Sequence, residues 1–174
     1  MLKTNYHFLK RFIITAFLSI IFLISFATHN NCTEGGDIPS FSLESLQGER
    51  LKLSDLKDRV TIVDFWATWC PPCRDLIPNL SGLYKEYQSK GVNIIGIAVS
   101  SGSVKKIRNF VKRFKITYPI LIGSKGEYKN FGSIRALPTV FILNQNGEIH
   151  KKYVGYVEKK CLDREIKKLL EESR

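Results

Sequence analysis

Two cysteines separated by two prolines, Cys70-Pro71-Pro72-Cys73, follow Trp66-Ala67-Thr68-Trp69 and precede Arg74. Thiols at this spacing can close a small disulfide ring and reopen it. That is thiol–disulfide exchange chemistry when the pair opens a helix after a strand. The flanking sequence predicts that setting. Residues 60–65 are an apolar run with one acid, and residues 72–90 place Leu76, Leu80, Leu83 and Tyr87 on one helical stripe. Cys70, at the start of that helix, would meet unpaired backbone N–H groups and the positive end of the helix dipole, which favour a thiolate. Cys70 is therefore the expected attacking sulfur, and Cys73, one turn deeper, the resolving one. Pro71 and Pro72 have no N–H, so the thiolate loses two possible donors. The expected direction is a less depressed Cys70 pKa and a more stable disulfide, which suits an electron donor. Arg74 acts in the opposite direction through its charge.

Asp64 is a lone carboxylate in the apolar run, six residues before Cys70. Facing inward, it would be desolvated, its pKa raised, and able to take the proton from Cys73. Facing outward, or held by structural hydrogen bonds, it would have no part in the chemistry. The inward reading is preferred because a buried acid is costly to keep without a role. Pro138, in Ala136-Leu137-Pro138-Thr139, precedes another apolar strand, and a cis bond there would set the loop against the thiols. Propensity alone opposes it, since only about 5–6% of X–Pro bonds are cis. Pro78 lies inside the active-site helix and should kink it.

Other uses of the cysteine pair fit poorly. Zinc would need further ligands, but His7, His29 and His150 are scattered and no second Cys-x-x-Cys occurs. Haem attachment needs His where Arg74 stands. A purely structural bridge would close too short a loop to stabilise much. The expected chemistry needs no metal and no cofactor. Cys161 reads as a small buried hydrophobe. Cys32 reads as an exposed linker thiol, and a Cys32–Cys161 bridge or a dimer through Cys32 stays open.

The remaining elements must position this pair. Residues 41–43 and 50–53 read as short strands around a Gln47-Gly48 turn, followed by a single helical turn at 55–57 capped by Ser54. Residues 92–99 are β-branched and nearly unbroken, as in a central parallel strand, after a helix stop at Gly91. Residues 103–114 form an amphipathic helix with Val104, Ile107, Phe110, Val111 and Phe114 inward. Residues 120–122 are a strand and 127–131 a short helix. Residues 139–143 and 148–154 flank Asn146-Gly147, a hairpin signal. Residues 158–172 close the chain as a helix with Leu162, Ile166, Leu169 and Leu170 inward. The order predicts an α/β domain with a central mixed sheet flanked by helices, on both faces if the crossovers are right-handed.

The chain has 174 residues, 27 basic and 16 acidic, for a net charge of +11. Hydrophobic residues make up 44%, so a folded core is expected. Lys3, Lys10 and Arg11 precede residues 12–27, which carry no charge. That pattern directs the following chain out of the cytoplasm. Residues 1–28 read either as a cleaved signal peptide ending near Ser25-Phe26-Ala27 or as a membrane anchor, with 8–27 long enough to span. Lipidation at Cys32 is disfavoured by His29-Asn30-Asn31. Each reading places the domain outside the cytoplasmic membrane. Residues 29–37 are a polar linker, and 38–174 the folded domain. The basic stretches at 105–113 and 151–152 are compatible with a docked partner or a lipid surface, with solvated surface preferred. Nothing resembles a nucleic-acid motif.

Val63-Asp64-Phe65-Trp66-Ala67-Thr68-Trp69-Cys70-Pro71-Pro72-Cys73-Arg74 resembles the active-site signature of the thioredoxin superfamily. Pro78 resembles its helix-kinking proline, and Leu137-Pro138-Thr139 its cis-proline loop. The 12–27 segment, the opening Ile38-Pro39-Ser40-Phe41 and the extra segment 103–114 resemble the extracytoplasmic TlpA/ResA-type branch. The resemblance covers about 38–170. It implies a thioredoxin-like fold and a thiol–disulfide oxidoreductase acting on disulfides of exported proteins and fed by a membrane thiol donor. It implies Cys70 as nucleophile, Cys73 as resolving thiol and Asp64 as the buried acid. Trp69 would flank an exposed sulfur, with Pro71, Pro72, Leu137 and Pro138 lining the substrate groove. One departure stands out. Members that reduce apocytochrome c often carry Glu three residues after the second cysteine, where this chain has Leu76. A disulfide-donating oxidase, a thiol peroxidase and a non-catalytic groove module are the rival readings.

Overall fold

The structure, a computed structural model, describes residues 41–123 and 134–172. The leader, the linker with Cys32, residues 38–40 and the short helix expected at 127–131 lie outside the described residues. The strands are β1 (Ser42–Ser45), β2 (Arg50–Lys52), β3 (Val60–Trp66), β4 (Val92–Ala98), β5 (Ile120–Ile122), β6 (Thr139–Leu143) and β7 (Ile149–Val154). The α-helices are α1 (Pro71–Tyr87), α2 (Val104–Arg113) and α3 (Lys159–Glu172). The strands form one mixed sheet in the order β2-β1-β5-β4-β3-β6-β7. β3, β4 and β5 are mutually parallel neighbours, and β6 runs antiparallel to β3.

β3 is buried along its whole length because both sheet faces are covered. Alternation along it divides the core in two. Ile62 and Trp66 face one side with Ile94 and Val140, and all three α-helices bury their apolar stripes there. Val63 and Phe65 face the other with Ile95, Ile97 and Phe141, joined by Phe41 and by Leu56 of the 3-10 turn Leu53–Leu56. The steps from β3 to β4 and from β4 to β5 go the same way along the sheet. Right-handed crossovers therefore put α1 and α2 on the same face. The expectation of helices on both faces is refined: the described α-helices share one face.

Most element boundaries fall within a residue or two of the sequence reading, and the exceptions have local causes. α1 begins at Pro71, because Cys70 itself is the cap. It gives way at Tyr87 to a 3-10 turn, Gln88–Lys90, which Gly91 ends at φ +84°. Pro78 sits inside α1 without ending it. Ser54 is not a helix cap. Lys52 precedes the 3-10 turn, and its N–H is taken by the Asp55 carboxylate at 2.8 Å. Ser103 caps α2 by accepting the Lys106 N–H at 3.3 Å, which leaves Val104 at the first turn exposed rather than inward. Gly147 turns the β6–β7 hairpin at φ +83°.

Candidate active site

The site is built where β3 ends and α1 begins. Cys70 and Cys73 are joined by a disulfide, with Cα atoms 5.4 Å apart. Cys70 occupies the N-cap of α1 with extended backbone, and Pro71 and Pro72 fill the first two helical positions. The first amide able to reach the cap sulfur is therefore that of Cys73, which donates to Cys70 Sγ at 3.3 Å. With no N–H on either proline, the Cys73 amide is the helix donor that faces this sulfur in the disulfide form. In the disulfide form Cys70 is only 2% exposed and Cys73 is fully buried. The exposed sulfur implied by the resemblance is thus covered in this redox state, and the surface beside it is provided by Trp69, 57% exposed, and by Pro71.

The loop before Cys70 is held from the end of β4, a support that sequence reasoning missed. Thr68 N–H donates to Ser101 Oγ at 3.1 Å, and Thr68 Oγ1 to the Ser101 carbonyl at 3.3 Å. The Trp69 indole N–H donates to the Ser100 carbonyl at 3.0 Å. Ser100 adopts φ +47°, which turns its carbonyl out of the path of β4. The only signal for this clamp was the cluster Ser100-Ser101-Gly102-Ser103, legible as a loop but not as a partner of Thr68. Arg74 closes the other side, its guanidinium donating to the Thr68 carbonyl at 3.0 Å.

Asp64 faces inward, 1% exposed, on the same side of β3 as Ile62 and Trp66 and hence toward the cluster that contains Cys73. Neither carboxylate oxygen meets a hydrogen-bond donor among the described residues. Burial pushes its pKa up to about 8. Gly96 on β4 lies beside it in register. A Cβ on Gly96 would come within 2.7 Å of Ile120 Cδ1, 2.8 Å of Trp66 Nε1 and 3.0 Å of the Tyr118 ring. With no side chain at Gly96, Trp66 and Tyr118 pack into the space beside its Cα, and Tyr118 lies near enough to Asp64 to feel its charge. Tyr118 is buried, and its hydroxyl is pushed well above its ordinary range, first by burial and then by the charge of Asp64. Tyr118 and Gly96 were not identified from the sequence, because only the strand register brings them to Asp64.

Leu137-Pro138 is a cis bond. Pro138 is buried, and its carbonyl accepts the Gly155 N–H at 2.8 Å, which ties the loop to the end of β7. Leu137 is half-buried and packs against the cluster that holds both cysteines. Cys161, expected to be buried, is a half-buried free thiol against the same core. Leu76 is fully buried, part of the apolar stripe of α1.

Residues 35–152 match the profile of the AhpC/TSA family, which spans more than half of the chain. The chain belongs to the AhpC/TSA family. It is 33% identical over 130 residues to the thiol-disulfide oxidoreductase ResA of Bacillus subtilis (strain 168), covering 75% of this chain and 72% of that one. It is 37% identical over 134 residues to the thioredoxin-like protein YneN of the same organism, covering 76% and 78%. Among solved structures, a thioredoxin family thiol:disulfide interchange protein from Chlorobium tepidum TLS superposes with a TM-score of 0.71 at 32% identity, covering 79% of this chain and 98% of that one. With the Cys70–Cys73 pair at the head of α1, this AhpC/TSA member is a thiol–disulfide oxidoreductase of the ResA type.

Proposed function

We propose that the chain reduces disulfides of extracytoplasmic proteins and is itself re-reduced by a membrane thiol carrier. The observation that carries this reading is the cap of α1. With prolines at its first two positions, one backbone N–H reaches Cys70 Sγ, so the helix terminus stabilises a thiolate weakly. A poorly stabilised thiolate gives its electrons up readily, and the pair rests as the disulfide.

The steps follow from the placement of the groups. Cys70 thiolate attacks one sulfur of a client disulfide, forms a mixed disulfide and releases the first client thiolate. Cys73 then passes its proton to Asp64 and attacks Cys70 Sγ. The Cys70–Cys73 bond forms, the second client sulfur leaves, and two electrons have moved to the client. An acid with a pKa near 8 is suited to accept a thiol proton near neutral pH. Trp69, Pro71, Pro72, Leu137 and Pro138 supply the surface for an extended client segment. The uncharged run at residues 12–27 behind Lys10 and Arg11 supports export and a tether at the membrane. Leu76, buried and apolar, favours a general disulfide client over apocytochrome c.

The reduction potential of the Cys70–Cys73 couple tests the direction. A value near about −270 mV is expected, and one near about −120 mV would make the protein a donor of disulfides. Cys73→Ser should accumulate mixed disulfides between Cys70 and clients. Their absence would remove Cys73 from the release step.

A further inference from the structure

A cavity of about 300 Å³ opens beside the redox pair, and its charge is one-sided. Arg74, Lys106 and Arg113 line it, with Thr68 and Asn109 as neutral polar groups and Phe110 and Phe114 as its apolar wall. Among the described residues no carboxylate lines it and none of the three cations forms an ion pair. Two of the cations are fixed in place. The Arg74 guanidinium donates to the Thr68 carbonyl at 3.0 Å and lies 5.9 Å from the Phe114 ring centre. The Arg113 guanidinium lies 5.7 Å from the same ring. Phe114 in turn stacks on Phe110 at 4.3 Å, and Phe110 on Trp66 at 5.0 Å. The aromatic wall therefore continues into the core beneath the active-site strand. α2 supplies Lys105, Lys106, Arg108, Lys112 and Arg113 and not one acid.

Three like charges around one concavity raise the local concentration of anions there. Guanidinium groups already oriented by a carbonyl and a ring lose little entropy on binding a carboxylate. The position of the cavity says which anion. Thr68 lies two residues before Cys70 and Arg74 one residue after Cys73, and the two are hydrogen-bonded to each other, so the cavity adjoins the loop that carries the redox pair. We infer that this cavity binds an acidic side chain of the client protein, flanking its reactive disulfide, and so selects acidic segments. The concave shape, with room for one or two side chains, suits a projecting carboxylate better than the flat array of headgroups on a membrane. The inference deepens the assigned disulfide exchange, because it names the feature by which a client is chosen.

The test separates binding from exchange. Full-length protein in non-ionic detergent is titrated with two redox-inert peptides carrying Ser in place of the client cysteine, one flanked by two glutamates and the other by two glutamines. The glutamate peptide should bind at least about fivefold more tightly at low salt, and the preference should shrink as salt screens it. Arg113→Glu and Lys106→Glu should each bring the ratio toward one. The milder Arg113→Gln should lie between, which guards against a charge reversal that disturbs folding. Equal affinity of the two peptides, or a preference that survives both reversals, overturns the inference whatever the redox activity. The cysteine-containing peptides are then compared for exchange rate. If the glutamate peptide binds preferentially but neither is reduced, the fault lies in the direction of electron flow and not in the cavity. Vesicles of phosphatidylcholine with and without phosphatidylserine form the last arm. Loss of phosphatidylserine-dependent binding in Arg113→Glu, with no peptide preference, would assign the cations to a lipid surface and overturn the inference.

Discussion

With its carboxyl pushed up to about 8, Asp64 keeps a proton that the unfolded chain releases near its ordinary value of 3.8. The native state thus binds more protons than the unfolded one between those limits. The contribution of Asp64 to stability is therefore largest below about pH 4, falls as pH rises to about 8, and is constant beyond. Asp64→Asn is neutral at every pH. Denaturant titrations should find it close to wild type near pH 4 and clearly more stable at pH 8. In the same variant, release of the mixed disulfide should be slower and lose its rise through about pH 8. A variant with wild-type pH dependence in both assays would remove Asp64 from the mechanism. The acid was legible in the sequence because one carboxylate in an apolar strand stands out against the cost of burying it. Tyr118 was not, because nothing near it in the chain signals an acid that only strand pairing brings close.

At the scale of elements, two features of the β3–β4–α1 unit can be tested. Gly96 has no room for a methyl group against Ile120 and Trp66. Gly96→Ala should cost about 1–3 kcal/mol by overpacking. Because the shift would be felt at Asp64, the pH profile of release should move as well, and a change in stability alone would show that the crowding stops at Ile120. At the head of α1, Pro72→Ala restores an N–H at the second helical position. One more donor near Cys70 Sγ stabilises the reduced form by about 0.5–1.5 kcal/mol, so the potential should become less negative by roughly 10–30 mV. No change would show that the new amide does not face the sulfur. The elements themselves were largely readable, because caps and turns are local chemistry: Ser103, Gly91 and Asn146-Gly147 each mark a boundary that the structure confirms. The sharing of one face by α1 and α2 was not readable until the strand order was known. The crossover rule fixes handedness but not the direction in which the sheet grows.

In the molecule as a whole, α3 is anchored across the sheet edge by a buried charge. Glu165 is 5% exposed and accepts from His150 Nε2 and Lys151 Nζ at 3.1 Å each and from Arg164 at 3.3 Å. Burial alone would raise its pKa, but these hydrogen bonds outweigh it and hold the carboxyl below its ordinary value. Its contribution is present at neutral pH and lost as pH falls through the depressed value, the opposite of Asp64. Glu165→Ala should destabilise by about 1–3 kcal/mol at pH 7. The gap from wild type should narrow below pH 4, and a gap independent of pH would mean that packing dominates. The hydrogen-bonded link between Tyr87 on α1 and Asp163 on α3, 2.5 Å long, ties the redox helix to the same anchor. The sheet it braces ends at β2 and β7 among the described strands. One border carries Arg50 and Lys52, the other Lys151 and Lys152. Arg50 and Lys52 on one border and Lys152 on the other flank the exposed amide rows with charge, which makes them poor templates for a growing fibre. A redox protein with such borders is thereby kept from stacking on copies of itself strand to strand.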